Sequence, residues 1–368
     1  MNNNMNNNMN NNMNNNINML THSELADNLI EQSKLFHQLY HDNLMKMTAK
    51  LNDFQRIRTL GHGGFGHVLL VRHIYTNKYF ALKILSKLQI IKNHQIYNVI
   101  NEKRILAACN FTFIIPLYYS FKDNNNLYLV MEYAIGGDLF TLLRHMKQFS
   151  NEMVKFYSAQ VLLAFEYLHY LTIIYRDLKP ENLLIHSNGF IKLTDLGFAK
   201  LLPKHKRTWT LCGTPDYMAP EIILNKGYHN SVDWWAFGIL LYEMTTGYPP
   251  FMHYDQMKTF ELIIIGDIKF TNHFNPLLKD LIMNLIQIDL SRRYGNLKNG
   301  IYDIKNHDYF KDLNWLQLYQ LNIEPPYKPL YNNNNNNDLQ EINHFDYDNE
   351  INFNIAEKEQ FENSFDDF

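Results

Sequence analysis

Apolar and polar positions divide the chain into blocks of different period. From Ser23 to about Lys50, Leu25, Leu29, Leu35, Leu39 and Leu44 recur at roughly helical spacing, with Ser23 as a candidate N-cap. This predicts one amphipathic helix lying on a larger body. Residues 54–85 and 112–133 alternate and are punctuated by glycine, which predicts antiparallel strands, and a helical stretch of about 94–108 lies between them. After Gly136 and Gly137 the pattern turns mainly helical as far as Phe310. Ser231 to Thr245 is apolar nearly all round, through Trp234, Trp235, Phe237, Ile239, Leu240 and Leu241, and predicts a buried central helix. A small sheet-rich lobe therefore precedes a larger helical lobe, an α+β arrangement.

The flanks differ in kind. Residues 1–16 are four copies of Met-Asn-Asn-Asn, a tract with nothing to bury, so disorder is expected over 1–20. A second asparagine run occupies 332–337, and Asn124 to Asn126 predicts a turn. Residues 338–368 form an acidic, aromatic-bearing tail with ten Asp/Glu and one Lys.

Composition narrows the field. With 368 residues and 46% hydrophobic content, a sizeable core is available. A net charge of −3 argues against general nucleic-acid binding or attachment to a membrane surface. The longest apolar run, Val161 to Ile174, carries Glu166 and His169 and reads as a buried globular helix, so no membrane span is expected. The N-terminus has no basic-then-apolar pattern, and Asn2 stands where N-myristoylation needs glycine. Cys109 and Cys212 form no disulfide framework and no CxxC, which fits the cytosol or nucleus.

Five motifs carry chemistry. In Gly61-His62-Gly63-Gly64-Phe65-Gly66-His67-Val68 a strand follows the glycines, so they sit in a hairpin rather than before a helix as a dinucleotide fold requires. Such a hairpin brings backbone N–H groups close to a triphosphate without Cβ clash. Ala81-Leu82-Lys83-Ile84 is a strand with one inward lysine, able to hold phosphates if an anion such as Glu102 fixes it. Tyr175-Arg176-Asp177-Leu178-Lys179-Pro180-Glu181-Asn182 is a dense polar cluster after an apolar helix. There Asp177 can accept a hydroxyl proton, Lys179 can neutralise a transferring phosphoryl, and Asn182 can offer an amide oxygen to Mg²⁺. Thr194-Asp195-Leu196-Gly197 presents a second oxygen ligand, Asp195, at a tight bend. Met218-Ala219-Pro220-Glu221 closes a loop containing Thr208, Thr210 and Thr214.

In this order the five motifs resemble those of serine/threonine protein kinases, over about Ser23 to Phe368. Tyr175 in place of the usual histidine, together with the tail, resembles the group that holds the cyclic-nucleotide-dependent kinases. Thr208 to Pro215, Val232 to Trp235, Phe54 to Ile57, Asn296 to Gly300 and the terminal Phe365-Asp366-Asp367-Phe368 are similar to the catalytic-subunit family of cyclic-AMP-dependent kinases.

The resemblance implies a two-lobed protein kinase fold. It implies a small lobe over 54–133, a large lobe over 134–310, a helical N-terminal segment at 21–53 and a C-terminal tail at 311–368 with the asparagine insert inside it. It implies ATP and Mg²⁺ as cofactors and transfer of the γ-phosphoryl to Ser or Thr in basic substrates. Val68, Ala81, Met131, Glu132, Ala134, Leu184 and Thr194 match the nucleotide pocket. Arg176 and Lys200 match a cradle for phosphate on Thr210. Glu221 and Arg293 match a buried ion pair. Asp138, Glu181 and Glu243 match acids that read upstream arginines, and Leu211, Pro215 and Met218 match further substrate contacts. Trp209 matches the docking surface of an inhibitory, cyclic-AMP-binding regulatory subunit, and the terminal Phe-x-x-Phe matches a motif that inserts beside the Glu102 helix. The chain holds no cyclic-nucleotide-binding domain, which weakens a cyclic-GMP-dependent reading and assigns any cyclic-AMP control to a separate subunit.

Several positions depart from the family pattern. Leu196 replaces a Phe, and its apolar packing is expected to survive. Asn98 replaces a His that touches the loop phosphate, Phe260 replaces a Tyr of the docking surface, and the loop from Asp195 to Thr210 is two residues longer. Asn354 or Ala356 stands where the tail usually carries a phosphorylated Ser or Thr, so the tail is expected to depend more on Phe365 and Phe368, and on Phe345 and Tyr347. A pseudokinase would lack Lys83, Asp177, Asn182 or Asp195, and all four are present. A metal-hydrolase reading finds no histidine pair with ligand spacing.

Overall fold

Gly66 marks where the small lobe closes on itself, since a Cβ there would lie 1.8 Å from the Ile84 carbonyl oxygen. The computed structural model describes residues 22–42, 49–64, 66–271, 274–329 and 364–368. Five antiparallel strands build the small-lobe sheet: β1 (Phe54–Gly63), β2 (Gly66–His73), β3 (Tyr79–Ser86), β4 (Leu117–Lys122) and β5 (Asn126–Glu132). Their spatial order is β1-β2-β3-β5-β4. Alternation gives the sheet two different faces. Leu69, Val71, Phe80, Leu82, Ile84, Tyr128 and Val130 pack with Phe54 into an outer cluster. Val68, Ala81, Lys83, Leu129 and Met131 fall on the other face, because Val68 pairs with Lys83 and Ala81 with Met131.

That second face looks toward the helices. Between β3 and β4 run α2 (Lys87–Lys92) and α3 (Ile96–Ala108), and α1 (His22–Asp42) packs on α3. Helix α1 begins at His22, so Ser23 lies inside it rather than capping it. Helix α3 begins at Ile96, slightly later than its apolar pattern suggests.

The large lobe is built on α4 (Leu139–Met146), α5 (Asn151–Tyr170), α6 (Pro220–Ile223), α7 (Ser231–Thr246), α8 (Gln256–Ile265) and α9 (Pro276–Leu285). Helix α7 is buried from Ser231 to Met244, as an all-round apolar helix must be. It stops at Gly247, whose φ of +86° suits glycine and where a Cβ would lie 2.1 Å from the Lys147 carbonyl oxygen. Arg293, fully buried, donates to both Glu221 carboxylate oxygens at 2.6 and 3.0 Å and lies over the Trp235 ring. This bidentate pair ties α6 to the segment after α9.

Short strands line the junction of the lobes: β6 (Ile173–Ile174) pairs with β9 (Lys200–Leu201), and β7 (Leu183–Ile185) with β8 (Ile191–Leu193). Phe365, at the far end of the chain, joins the main core at 1% exposure, and Phe368 packs against that core. Residues 1–20, Phe65, the run 332–337, Phe345, Tyr347, Asn354 and Ala356 lie outside the described residues. Among the described residues no helix is long and apolar enough to cross a membrane.

Candidate functional site

Lys83 projects from the inner face of β3. Its Nζ donates to Glu102 Oε1 on α3 at 2.7 Å and to Asp195 Oδ1 at 3.3 Å. Burial works against the ammonium, but the Asp195 and Glu102 carboxylates outweigh it and hold its pKa above the ordinary lysine value. Lys83 in turn holds the Asp195 carboxyl below its usual range. In the glycine hairpin His62 stands opposite His67, and Gly61, Gly63 and Gly64 have no side chain to crowd a phosphate.

Asp177 is only 4% exposed and lies in a web of donors. Asn182 Nδ2 donates to its Oδ2 at 3.0 Å and to its carbonyl at 2.8 Å. Thr214 Oγ1 donates to Oδ1 at 2.9 Å, and Lys179 Nζ lies 3.1 Å from Oδ2 and 3.1 Å from the Thr214 hydroxyl. The loop carrying Asp177 is anchored from below. Buried Asp233, at the start of α7, accepts from the backbone N–H of Tyr175 at 3.0 Å and of Arg176 at 2.8 Å, and lies 2.7 Å from His169 Nε2. The anchor holds Arg176 at a φ of +71°, a conformation unusual for a non-glycine residue. Tyr175 sends its hydroxyl to the Thr194 carbonyl at 2.6 Å, joining this loop to the Asp195 bend.

Asn182 and Asp195 meet because β7 pairs with β8: Leu183 stands opposite Leu193, and the Thr194 N–H donates to the Asn182 carbonyl at 2.9 Å. The Asn182 amide nitrogen is committed to Asp177, which leaves its oxygen as the group to offer a cation. An amide oxygen beside a carboxylate held in its charged form is a hard donor set, suited to Mg²⁺. Leu196, fully buried in the main core, packs beneath the bend as an apolar residue should.

Of the apolar residues matched to the nucleotide pocket, Ala81 and Met131 are buried opposite each other on β3 and β5, and Val68 and Leu184 are half-buried. The connection between lobes is tied down where the Gly136 N–H donates to the Ile185 carbonyl at 2.9 Å and the Ile185 N–H to the Gly137 carbonyl at 2.8 Å. A Cβ at Gly136 would approach that Ile185 carbonyl oxygen to 2.7 Å. The Glu132 side chain turns to His186 at 2.9 Å and Lys192 at 3.5 Å. The Glu132 N–H donates to the Pro116 carbonyl at 3.2 Å.

The comparisons with known proteins match this geometry. Residues 54–310 match the protein kinase domain family. The chain is 50% identical over 279 residues to "cAMP-dependent protein kinase type 3" of Saccharomyces cerevisiae, covering 76% of this chain and 70% of that one. It is 46% identical over 279 residues to "cAMP-dependent protein kinase catalytic subunit PRKX" of Homo sapiens, covering 76% and 77%. It is 49% identical over 279 residues to "cAMP-dependent protein kinase catalytic subunit 3" of Drosophila melanogaster, covering 76% of this chain and 48% of that longer one. The chain belongs to the catalytic-subunit family of cyclic-AMP-dependent protein kinases. It is a serine/threonine protein kinase.

In this kinase the acids matched to arginine reading have unequal settings. Glu181 is exposed. Glu243 is 3% exposed and accepts the Tyr217 hydroxyl, and burial pushes its carboxyl up to about 7. Asp138 caps α4, accepting from the Thr141 N–H at 2.7 Å and the Thr141 hydroxyl at 3.0 Å. A guanidinium approaching Asp138 meets a carboxylate already half committed. Leu211 is exposed, Pro215 half-buried and Met218 buried along the loop that leads to these acids.

Of the residues matched to a phosphate cradle, Lys200 reaches Thr208 rather than Thr210. Lys200 Nζ donates to the Thr208 hydroxyl at 3.1 Å, and that hydroxyl lies 3.4 Å from the exposed Thr210 hydroxyl. Burial and the neighbouring Arg176 guanidinium push the Lys200 ammonium down. Arg176 donates to the Phe198 carbonyl at 2.7 Å and the Tyr228 hydroxyl at 3.2 Å. The Asn98 amide donates to Gln95, not across to the loop.

Thr214, Tyr217 and Asp233 are the residues that sequence reasoning left without a role. Each works through contacts across 26 to 64 positions of chain, so no local spacing announces it.

Proposed function

We propose that this kinase transfers the γ-phosphoryl of Mg-ATP to Ser or Thr hydroxyls that follow arginines, and that a separate cyclic-AMP-binding regulatory subunit inhibits it. The reading is carried by the Asp177 carboxylate, held by Asn182, Thr214 and Lys179 next to the Lys83–Glu102–Asp195 group. Val68, Ala81, Met131 and Leu184 would enclose the adenine. Backbone groups of Glu132 and Ala134 would bond its edge, Thr194 would line the pocket and the glycine hairpin would cover the phosphates. Lys83 would hold the α- and β-phosphates, and Glu102 keeps it from turning away. Mg²⁺ bound by Asp195 and Asn182 would neutralise charge building on the phosphate oxygens.

The acceptor hydroxyl oxygen attacks the γ-phosphorus as the bond to the β–γ bridging oxygen breaks, leaving ADP. Asp177 takes the hydroxyl proton, and Lys179 offsets charge on the moving phosphoryl. The rate gain comes mainly from alignment and fixed charges.

Arginine recognition rests on Asp138, Glu181 and Glu243, since carboxylate–guanidinium pairs are strong and directional. Phosphate on Thr210 would add about −1.5 to −2 charge beside Arg176 and Lys200 and order the loop. For the regulatory partner, Trp209 is 60% exposed and Leu211 65% exposed on the loop surface, with the Trp209 indole lying against Gly227. Phe260, half-buried on α8, keeps the apolar area there without a hydroxyl. Free Cys109 and Cys212 suit the cytosol or nucleus. The test is inhibition of peptide phosphorylation by an added cyclic-AMP-binding regulatory subunit. Inhibition relieved by cyclic AMP and weakened by Trp209→Ala supports the proposal, and absence of binding removes the regulatory part of it.

A further inference from the structure

One buried side chain touches three separate parts of the kinase. The Tyr40 hydroxyl on α1 donates to Asn101 Oδ1 at 2.8 Å, and Asn101 Nδ2 donates to the Ala199 carbonyl at 2.8 Å. Asn101 is 4% exposed and adjoins Glu102 on α3. Ala199 belongs to the turn after Asp195, its N–H donating to the Leu196 carbonyl at 2.9 Å.

The chemistry fixes the direction of this chain of bonds. A carbonyl can only accept, so the Asn101 nitrogen must face Ala199 and its oxygen must face α1. That oxygen needs a donor, and the Tyr40 phenol is the group placed to supply one. Burial pushes the Tyr40 phenol up, so it keeps its proton at working pH. The ring cannot easily swing away. Phe36, fully buried, stacks on it with centroids 5.6 Å apart and planes 23° apart. A buried amide losing one partner either stays unsatisfied or turns to find another, and turning breaks the bond to Ala199.

We propose that Tyr40 is a positioning residue for phosphoryl transfer: through Asn101 it sets the spacing between α3 and the Asp195 bend, and so the geometry in which Glu102 and Asp195 meet Lys83. The proposal rests on the kinase chemistry above and adds α1 to the assembly that aligns it. Without the hydroxyl, α3 and the bend remain folded but are held less tightly. The loss falls on the metal-side carboxylate and on turnover, not on the peptide surface, because the two bonds run from α1 through α3 to the turn after Asp195.

The experiment compares full-length protein with Tyr40→Phe, Asn101→Ala and the double variant. Tyr40→Phe keeps the ring and its stacking on Phe36. Its kcat should fall by about threefold or more, and the Mg²⁺ concentration for half-maximal activity should rise by a similar factor. Peptide KM should stay within about twofold. The double variant should be no worse than Asn101→Ala alone, because both break one chain of bonds. Amide hydrogen exchange over residues 195–201 should accelerate in Tyr40→Phe, a readout that needs no turnover and so separates this inference from the kinase reading. Unchanged exchange with unchanged kcat and Mg²⁺ dependence would overturn it. So would losses that add in the double variant, or a fall in melting temperature that alone accounts for lost activity.

Discussion

Thr214 Oγ1 donates to Asp177 Oδ1 at 2.9 Å while accepting from Lys179 Nζ at 3.1 Å. One hydroxyl from the loop that runs from Asp195 to Glu221 thus orients both the proton acceptor and the cation beside it. The order of the loop and the geometry of the catalytic group are therefore the same question at this residue.

Thr214→Ala should lower kcat by about tenfold or more with little change in melting temperature, since it loosens alignment and leaves the core intact. Thr214→Ser restores the hydroxyl and should recover most of the loss. Steady-state kinetics of both variants check this. Equal rates for all three proteins would show that the contact does not matter.

Glu243 predicts a pH effect with a definite sign. Its folded pKa, pushed up to about 7 by burial, lies above its unfolded value near 4.5. Stability from this group is therefore fully present below about pH 4.5 and is lost as pH rises through about 7, by up to about 3 kcal/mol. Glu243→Gln carries no charge and keeps an acceptor for the Tyr217 hydroxyl. Its melting temperature relative to the parent should rise between pH 5 and pH 8, while phosphorylation of arginine-bearing peptides weakens. A difference in melting temperature that does not move with pH would contradict the burial argument.

The chain end acts as a clamp on the small lobe. Lys122 Nζ donates to the Phe365 carbonyl at 2.6 Å, and Arg104 lies 3.1 Å from Asp367 on the outside. Lys87 and Lys103 stand over the Phe365 and Phe368 rings. Burying a Phe contributes about 1.5–3 kcal/mol, whereas the exposed Arg104–Asp367 pair adds little. Deleting residues 365–368 should therefore lower melting temperature and kcat together, and Asp367→Asn should change neither by much. Calorimetry and kinetics on both would decide, and a truncated enzyme with unchanged melting would rule out the clamp.

The sequence made the fold and the centre of the site legible for physical reasons that can be named. Lys83, Asp177, Asn182 and Asp195 stand in short, dense runs where polar groups interrupt apolar strands, and Ser231 to Thr245 is too apolar to lie anywhere but inside. What stayed hidden depends on single contacts between distant residues. Nothing near Asn101 says that its amide bridges Tyr40 and Ala199, and nothing near Asp233 says that it holds the backbone of Tyr175 and Arg176. Asp138 shows a second kind of difference. The structure shows its carboxylate capping α4, where the resemblance had marked only arginine reading.

Phosphoryl transfer from Mg-ATP to an Arg-Arg-x-Ser peptide, measured for the full chain and for Asp177→Asn, tests the central claim most directly. The parent should turn over on the order of 1–100 s⁻¹. Asp177→Asn, folded and melting at the same temperature, should lose about 10²–10⁴ of that rate as the proton acceptor is removed. No transfer by the parent, or near-normal transfer by Asp177→Asn, would contradict the account.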